Sequence, residues 1–237
     1  MYKYLLFDAD HTLIDYTADE RVTFRTLLSG WGLPTDDETL RWCNQISERS
    51  WTAAGLYDVH NPVVQKEYHR LYRSHAVHIF EEIFQKFGIQ ADTRVASQRF
   101  LLLLEERAHL LEGAEDVLQT LSKQYTLCLA TNGLKSIQVG RTREIIGYFK
   151  KLYVSEELGA IKPLPSFFEG ILSDLGAKKE ECLMIGDSLS SDIAGANAVG
   201  MDCVWLNRKG KENDTPVFPT YEITSLREIF SILCRNR

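Results

Sequence analysis

Leu5-Leu6-Phe7-Asp8-Ala9-Asp10, three consecutive apolar residues that stop on two acids, limits how this chain can fold more than any other stretch. An apolar run without alternation suits a strand buried on both faces of a parallel sheet, because helices cover both sides of such sheets. The acids then fall at the strand's carboxyl end. Residues two apart in extended chain point the same way, so Asp8 and Asp10 converge at the edge where open α/β sheets bind ligands. Two anions that close resist joint ionisation unless something positive lies between them. Mg²⁺ and a lysine far downstream, Lys162, are expected to supply that charge.

A chain of 237 residues suffices for a core domain carrying a smaller insert. The formal net charge of -6 argues against a nucleic-acid backbone or an anionic membrane as the main partner. It leaves room for a phosphate substrate, since a bound divalent cation reverses the local sign. Five cysteines without a C-x-x-C pair, three of them (Cys128, Cys182, Cys203) in expected buried strands, read as reduced core residues of a cytoplasmic protein. No apolar segment approaches the roughly 20 residues of a membrane span, and the charged start lacks a signal-peptide core.

After Asp15 the periodicity turns helical. Phe24, Leu27, Leu28 and Trp31 recur at one helix face before Gly32; a second helix starts at Thr35 or Asp36. Asn61-Pro62 reads as an N-cap with proline in the first turn, opening a segment interrupted near Ser74 that runs to Phe87-Gly88. A fourth helix follows Asp92 or Thr93. The region 17–108 is thus expected to be a helical insertion into a core made of 1–16 and 109–237. From Gly113 helices alternate with strands at 125–131, 151–154, 182–187 and 201–206, the pattern of a parallel sheet. Ser166 and Glu169 have capping-box spacing, and a last helix runs from Ser225 to about Cys234.

Strand ends and one loop therefore bring Asp8, Asp10, Thr131, Lys162, Asp187 and Asp192 to one edge. Each piece has an ordinary alternative: a strand-end turn for Asp8-Ala9-Asp10, a plain turn for Thr131-Asn132-Gly133, a solvated Lys162, a helix-end charge for Asp192. Their convergence favours chemistry on a phosphate monoester. Asp8 is placed to attack phosphorus and form an aspartyl-phosphate. Asp10 is placed to protonate the leaving oxygen and then deprotonate water. Asp8, Asp187 and the Asp10 main-chain carbonyl suffice for Mg²⁺, while Lys162, Thr131 and the Asn132-Gly133 turn face the non-bridging oxygens.

Asp8-x-Asp10-x-Thr12, Thr131, Lys162-Pro163 and Gly186-Asp187-x-x-x-x-Asp192 resemble the four motifs of the haloacid-dehalogenase-like hydrolases, across the whole chain. The resemblance implies a Rossmann-like three-layer core with a helical cap, Asp8 as nucleophile, Asp10 as acid/base and Mg²⁺ as cofactor. It also implies Thr131, Asn132 and Lys162 at the phosphate, Asp8, Asp10 and Asp187 at the metal, and Asp192 and Thr12 in support. An acid at position 10 is similar to the phosphatase branch. Ala130-Thr131-Asn132-Gly133, Ser155 to Gly159 and Cys203 to Asn207 further resemble the house-cleaning pyrimidine 5′-nucleotidases, in which Trp51 matches a cap tryptophan and Ser47 departs from an expected asparagine. His11 departs from the usual residue before the threonine and is expected to touch substrate.

The expectation is a Mg²⁺-dependent pyrimidine nucleoside 5′-monophosphate phosphatase, monomer or homodimer, acting on a small-molecule phosphomonoester. A sugar-phosphate or phosphoglycolate phosphatase and a non-catalytic phosphate-binding regulator are the alternatives. His69, His75 and His78 share helical spacing but lack a matching acid pattern, so a solvated helix face outweighs a zinc site.

Overall fold

The computed structural model describes residues 1–235; residues 236 and 237, assigned above to the core, lie outside the described residues. Strands β1 (Tyr4–Phe7), β2 (Thr126–Thr131), β3 (Lys151–Val154), β4 (Cys182–Gly186), β5 (Asp202–Leu206) and β6 (Tyr221–Ile223) form one sheet in the order β3-β2-β1-β4-β5-β6. Every neighbouring pair is parallel. The doubly wound order is Rossmann-like, and it reverses direction at β1, which places a ligand crevice between the carboxyl ends of β1 and β4.

Both faces of the sheet are covered, as the apolar run of β1 requires. Leu5 and Phe7 join Leu129, Ile185 and Val204 in one cluster; Leu6 joins Cys128, Met184 and Cys203 in another. Ten helices punctuate the described chain: α1 (Tyr16–Gly30), α2 (Asp37–Ala53), α3 (Pro62–Phe87), α4 (Thr93–Glu105), α5 (Ala114–Leu121), α6 (Lys135–Arg141), α7 (Ser155–Leu158), α8 (Pro165–Leu175), α9 (Ala194–Val199) and α10 (Ile229–Arg235). Helices α5 and α10 contribute to the first cluster, α8 and α9 to the second.

Helices α1 to α4 surround a third cluster centred on Phe24, Phe80 and Phe100, with Phe24 stacked on Phe100 at 5.1 Å between ring centroids. Leu134 and Ile137 of the α6 region and Ile161 reach into it, so this bundle is anchored to the sheet's carboxyl edge. Asp36, Asn61 and Asp92 cap α2, α3 and α4 as their sequence positions imply.

Helix α1 begins at Tyr16, directly after Asp15 as the sequence reading has it, with Asp15 capping it by accepting from the Ala18 N–H. Several other elements depart from that reading. Helix α3 continues through Ser74, since its buried stripe from Val64 to Phe84 is unbroken and packing outweighs one serine's weak propensity. Ser166 lies inside α8 rather than capping it; Pro165 in the first turn starts that helix instead. The short α7 and edge strand β6 are additions, each too brief to show a period.

Candidate active site

Lys162 is the hub at the β1/β4 crevice. Its ammonium donates to Asp8 Oδ1 at 2.6 Å, Asp192 Oδ1 at 2.6 Å and the Ala130 carbonyl at 2.7 Å, which occupies all three of its protons. It is buried, which rules out the reading of a solvated lysine. The backbone at Lys162 is gripped on both sides by the Asn132 carboxamide, which donates to the Lys162 carbonyl at 2.9 Å and accepts from its N–H at 2.8 Å. The Asn132 side chain therefore acts here as a strut for Lys162. The Gly133 N–H is likewise engaged, by Ser155 Oγ at 3.0 Å.

Asp8 lies one residue beyond β1 and its N–H donates to the Ile185 carbonyl, fixing it against β4. Asp192 arrives through a π turn, Leu189–Ile193, and takes the Ser188 N–H at 3.1 Å. It presses on Gly186, where a Cβ would stand 2.2 Å from Asp192 Oδ2, so only glycine fits. Asp192 is thus a buried partner of Lys162 rather than a helix-end charge. Asp187 follows β4; its carbonyl accepts from the Trp205 indole at 2.9 Å, and Thr12 Oγ1 lies 3.4 Å from its carboxylate. Thr131 ends β2, buried, beside the same crevice.

Two carboxylates, Asp8 and Asp192, pair with one ammonium and a third, Asp187, lies close by, and the charge surplus shows in their titration. Burial, with the neighbouring Asp192 and Asp10 charges, pushes Asp8 up to about 7 against the pull of Lys162. Burial and the Asp8 charge push Asp187 up to about 6. Lys162 is raised too, for the opposite reason: burial alone would depress it, but Asp192 and Asp8 hold it above its ordinary value. Oxygen atoms of Asp8, Asp187 and Asp192 lie within 4.8 Å of one another. Asp192 has both oxygens engaged, whereas Asp8 and Asp187 keep acceptor capacity, a hard oxygen set suited to a small divalent cation.

The Asp10 carboxylate stands outside that group. Its Oδ2 accepts from Gln138 Nε2 at 2.8 Å, and its Oδ1 lies 3.0 Å from an Arg141 nitrogen, close enough for an ion pair but not aligned as a hydrogen bond. Fully buried Arg141 also pairs with Asp19 of α1 at 2.9 Å. Arg141, Gln138 and Asp19 escaped the sequence reading, since nothing local marks contacts across more than a hundred residues.

A cavity of about 720 Å³ opens above these groups, with Asp8, Asp10, Thr131, Lys162 and Asp187 at its floor and residues of α1, α2 and α3 in its walls. Trp51 lines it, edge-on to Tyr72 at 5.3 Å and His75 at 5.2 Å. His11 also lines it, with the positive φ of 62° that ordinary residues rarely adopt and its ring 5.8 Å from Tyr16. The three spaced histidines do not meet: His69 bonds Ser155, His75 is buried, and His78 pairs with Glu81.

A parallel, doubly wound sheet that gathers carboxylates and a buried lysine at its switch point defines an α/β enzyme with an acid-based site. The model of the haloacid dehalogenase-like hydrolases matches residues 2–200, and the chain belongs to that family. It is 35% identical to the pyrimidine 5′-nucleotidase PynA of Streptococcus pneumoniae, covering 99% of this chain and 96% of that protein. Identity to the pyrimidine 5′-nucleotidase YjjG of Escherichia coli is 25%, over 98% of each chain. Among solved structures, YfnB of Bacillus subtilis, determined bound to magnesium and described as revealing interdomain movement, superposes with a TM-score of 0.83 at 30% identity over 98% of both chains. No helix among the described residues is long and apolar enough to cross a membrane.

Proposed function

We propose that this hydrolase removes phosphate from pyrimidine nucleoside 5′-monophosphates, using Mg²⁺ and a covalent intermediate on Asp8. The observation that carries the reading is the cavity itself, which joins Asp8 and Lys162 at its floor to an aromatic wall at Trp51 within one space. The similarity to two pyrimidine 5′-nucleotidases supports the substrate class. In this reading residues 17–108 are a cap over a core of 1–16 and 109–237.

Asp8 is anchored so that one carboxylate oxygen stays on Lys162 while the other is free to attack phosphorus in line with the leaving oxygen. The bond from phosphorus to the nucleoside oxygen breaks, and that oxygen takes the proton of Asp10. Water, deprotonated by Asp10, then attacks the phosphorus of the Asp8 acyl phosphate; phosphate leaves and Asp8 is restored. Lys162, Thr131 and the Asn132 N–H offset charge on the non-bridging oxygens. Asp8, the Asp10 carbonyl and Asp187 would hold Mg²⁺, which supplies further positive charge against the transferring phosphoryl group. Asp192 and Thr12 keep Lys162 and Asp187 in place.

A Mg²⁺-supplemented screen of phosphate monoesters, read by phosphate release, tests the reading. UMP and dTMP should lead. Preference for small sugar phosphates or phosphoglycolate would move the substrate class, and phosphate binding without release would leave a regulator. Cation binding has its own readout. Mg²⁺ at about 100 times its Kd adds ~2.7 kcal/mol to stability, enough to raise Tm by roughly 5–10 °C in a chain of this size. EDTA should reverse the rise and Asp187→Asn should abolish most of it; an unchanged shift in that variant would remove Asp187 from the cation site.

Stacking of a base on an aromatic ring contributes roughly 1–3 kcal/mol. Trp51→Ala is therefore expected to raise KM for UMP on the order of 10-fold or more, and for p-nitrophenyl phosphate far less. Equal changes on both substrates would assign Trp51 to packing against Tyr72 and His75 alone.

A further inference from the structure

Helix α1 places a carboxyl group, Glu20, in the cavity wall away from the phosphate floor. Helical spacing from Tyr16 through Glu20 to Phe24 puts it on the stripe that faces the bundle interior, and it is 4% exposed. Glu20 Oε1 accepts from Ser47 Oγ at 2.5 Å and Oε2 from Asn44 Nδ2 at 2.7 Å, both from α2. Among the described residues no cation forms an ion pair with it. A buried carboxyl without a counter-ion destabilises a fold, and two neutral donors offset that only in part.

Each carboxylate oxygen offers about two lone-pair sites, and here each takes one bond. One acceptor position per oxygen is left over at the cavity wall. Asn44 also has a second amide proton beyond the one given to Glu20. An acceptor beside a donor matches the edge of a ring that carries an N–H next to a carbonyl. Uracil and thymine have that edge at N3–H and C4=O.

We propose that Glu20 is a specificity-determining residue that accepts a hydrogen bond from the N3–H of a uracil or thymine ring, with Asn44 and Ser47 holding its carboxylate in place. The assignment rests on the nucleotide reading above and goes beyond it, by naming the atom of the leaving group that is read. Burial pushes Glu20 up to about 7 against the hydrogen bonds from Ser47 and Asn44. The carboxylate is therefore the dominant form in an assay at pH 8. Ser47 is the residue at which the sequence departs from the nucleotidase pattern, and its hydroxyl here serves Glu20.

The test uses the full chain and compares kcat/KM for UMP and for N3-methyl-UMP, which lacks the donor. A hydrogen bond to a charged group is worth a factor of roughly 10–100, so the parent should prefer UMP by that ratio. Glu20→Met keeps the length but presents no oxygen acceptor, and its ratio should fall several-fold towards 1. Because each ratio is taken within one enzyme preparation, partial unfolding of the variant cancels. A parent that uses both nucleotides equally overturns the proposal without any variant. A parent that prefers UMP, with a ratio kept in Glu20→Met, overturns the role of Glu20 and leaves the nucleotidase reading standing. A parent that takes UMP no better than glycerol phosphate overturns the nucleotidase reading and this assignment with it.

Discussion

Asp8→Asn is expected to lose turnover by on the order of 10⁴–10⁶-fold, the scale on which removing a covalent nucleophile acts in enzymes. An asparagine amide matches the carboxylate in size but has no anionic oxygen to attack phosphorus. The fold should survive. Lys162 keeps Asp192 and the Ala130 carbonyl as acceptors, and the site loses one of three crowded carboxylates, so stability should hold or rise. Phosphate release from p-nitrophenyl phosphate and UMP measures the loss, with intact mass excluding reversion to aspartate by deamidation. Acid quenching of the parent during turnover should add a phosphoryl group to the peptide that carries Asp8. Parent-level hydrolysis by the variant would end the covalent mechanism.

The floor of the site was legible in the sequence because each of its parts is local. An apolar run that ends on an acid defines a strand and its carboxyl edge together, as at Phe7-Asp8 and Ile185-Gly186-Asp187. Parallel pairing then aligns those ends without further information, and the observed register sets Phe7 against Leu129 and Ile185. Distances among Lys162, Asp8 and Asp192 follow from that alignment plus one loop. The cavity walls were not legible in the same way. Glu20 sits on the stripe of Phe24, so a charge on an apolar face was a readable signal, but the sequence reading traced that stripe only from Phe24 to Trp31 and did not extend it back one turn to Glu20. Arg141 gives no such signal, because it is charged, lies at the end of a short helix, and is fully buried against Asp10, Asp19 and the Tyr16 ring, partners far away in the chain. Asn132 looked like part of a turn, and its grip on the Lys162 backbone depends on how two loops meet.

Asp10→Asn is expected to lower kcat/KM on UMP by ~10²–10⁴-fold, the typical contribution of general acid–base catalysis. The leaving group decides how much of that appears. A nucleoside departs as an alkoxide and needs a proton, whereas p-nitrophenolate is stable as an anion near neutral pH. The first step on p-nitrophenyl phosphate should therefore be much less affected, and the remaining loss should lie in hydrolysis of the acyl phosphate, for which Asp10 serves as base. In the structure both Asp10 oxygens face donors, Gln138 Nε2 at 2.8 Å and the Arg141 guanidinium at 3.0 Å. Aiming a protonated oxygen at the leaving group requires one of those contacts to be given up. Arg141 remains paired through Asp19, itself held by the His109 N–H at 3.0 Å where the chain returns from α4. The acid is therefore tied to both crossings between the sheet and the helical insertion. Equal losses on UMP and p-nitrophenyl phosphate in a rapid-quench burst measurement would deny Asp10 the role of acid and leave it holding Gln138 and Arg141 in position.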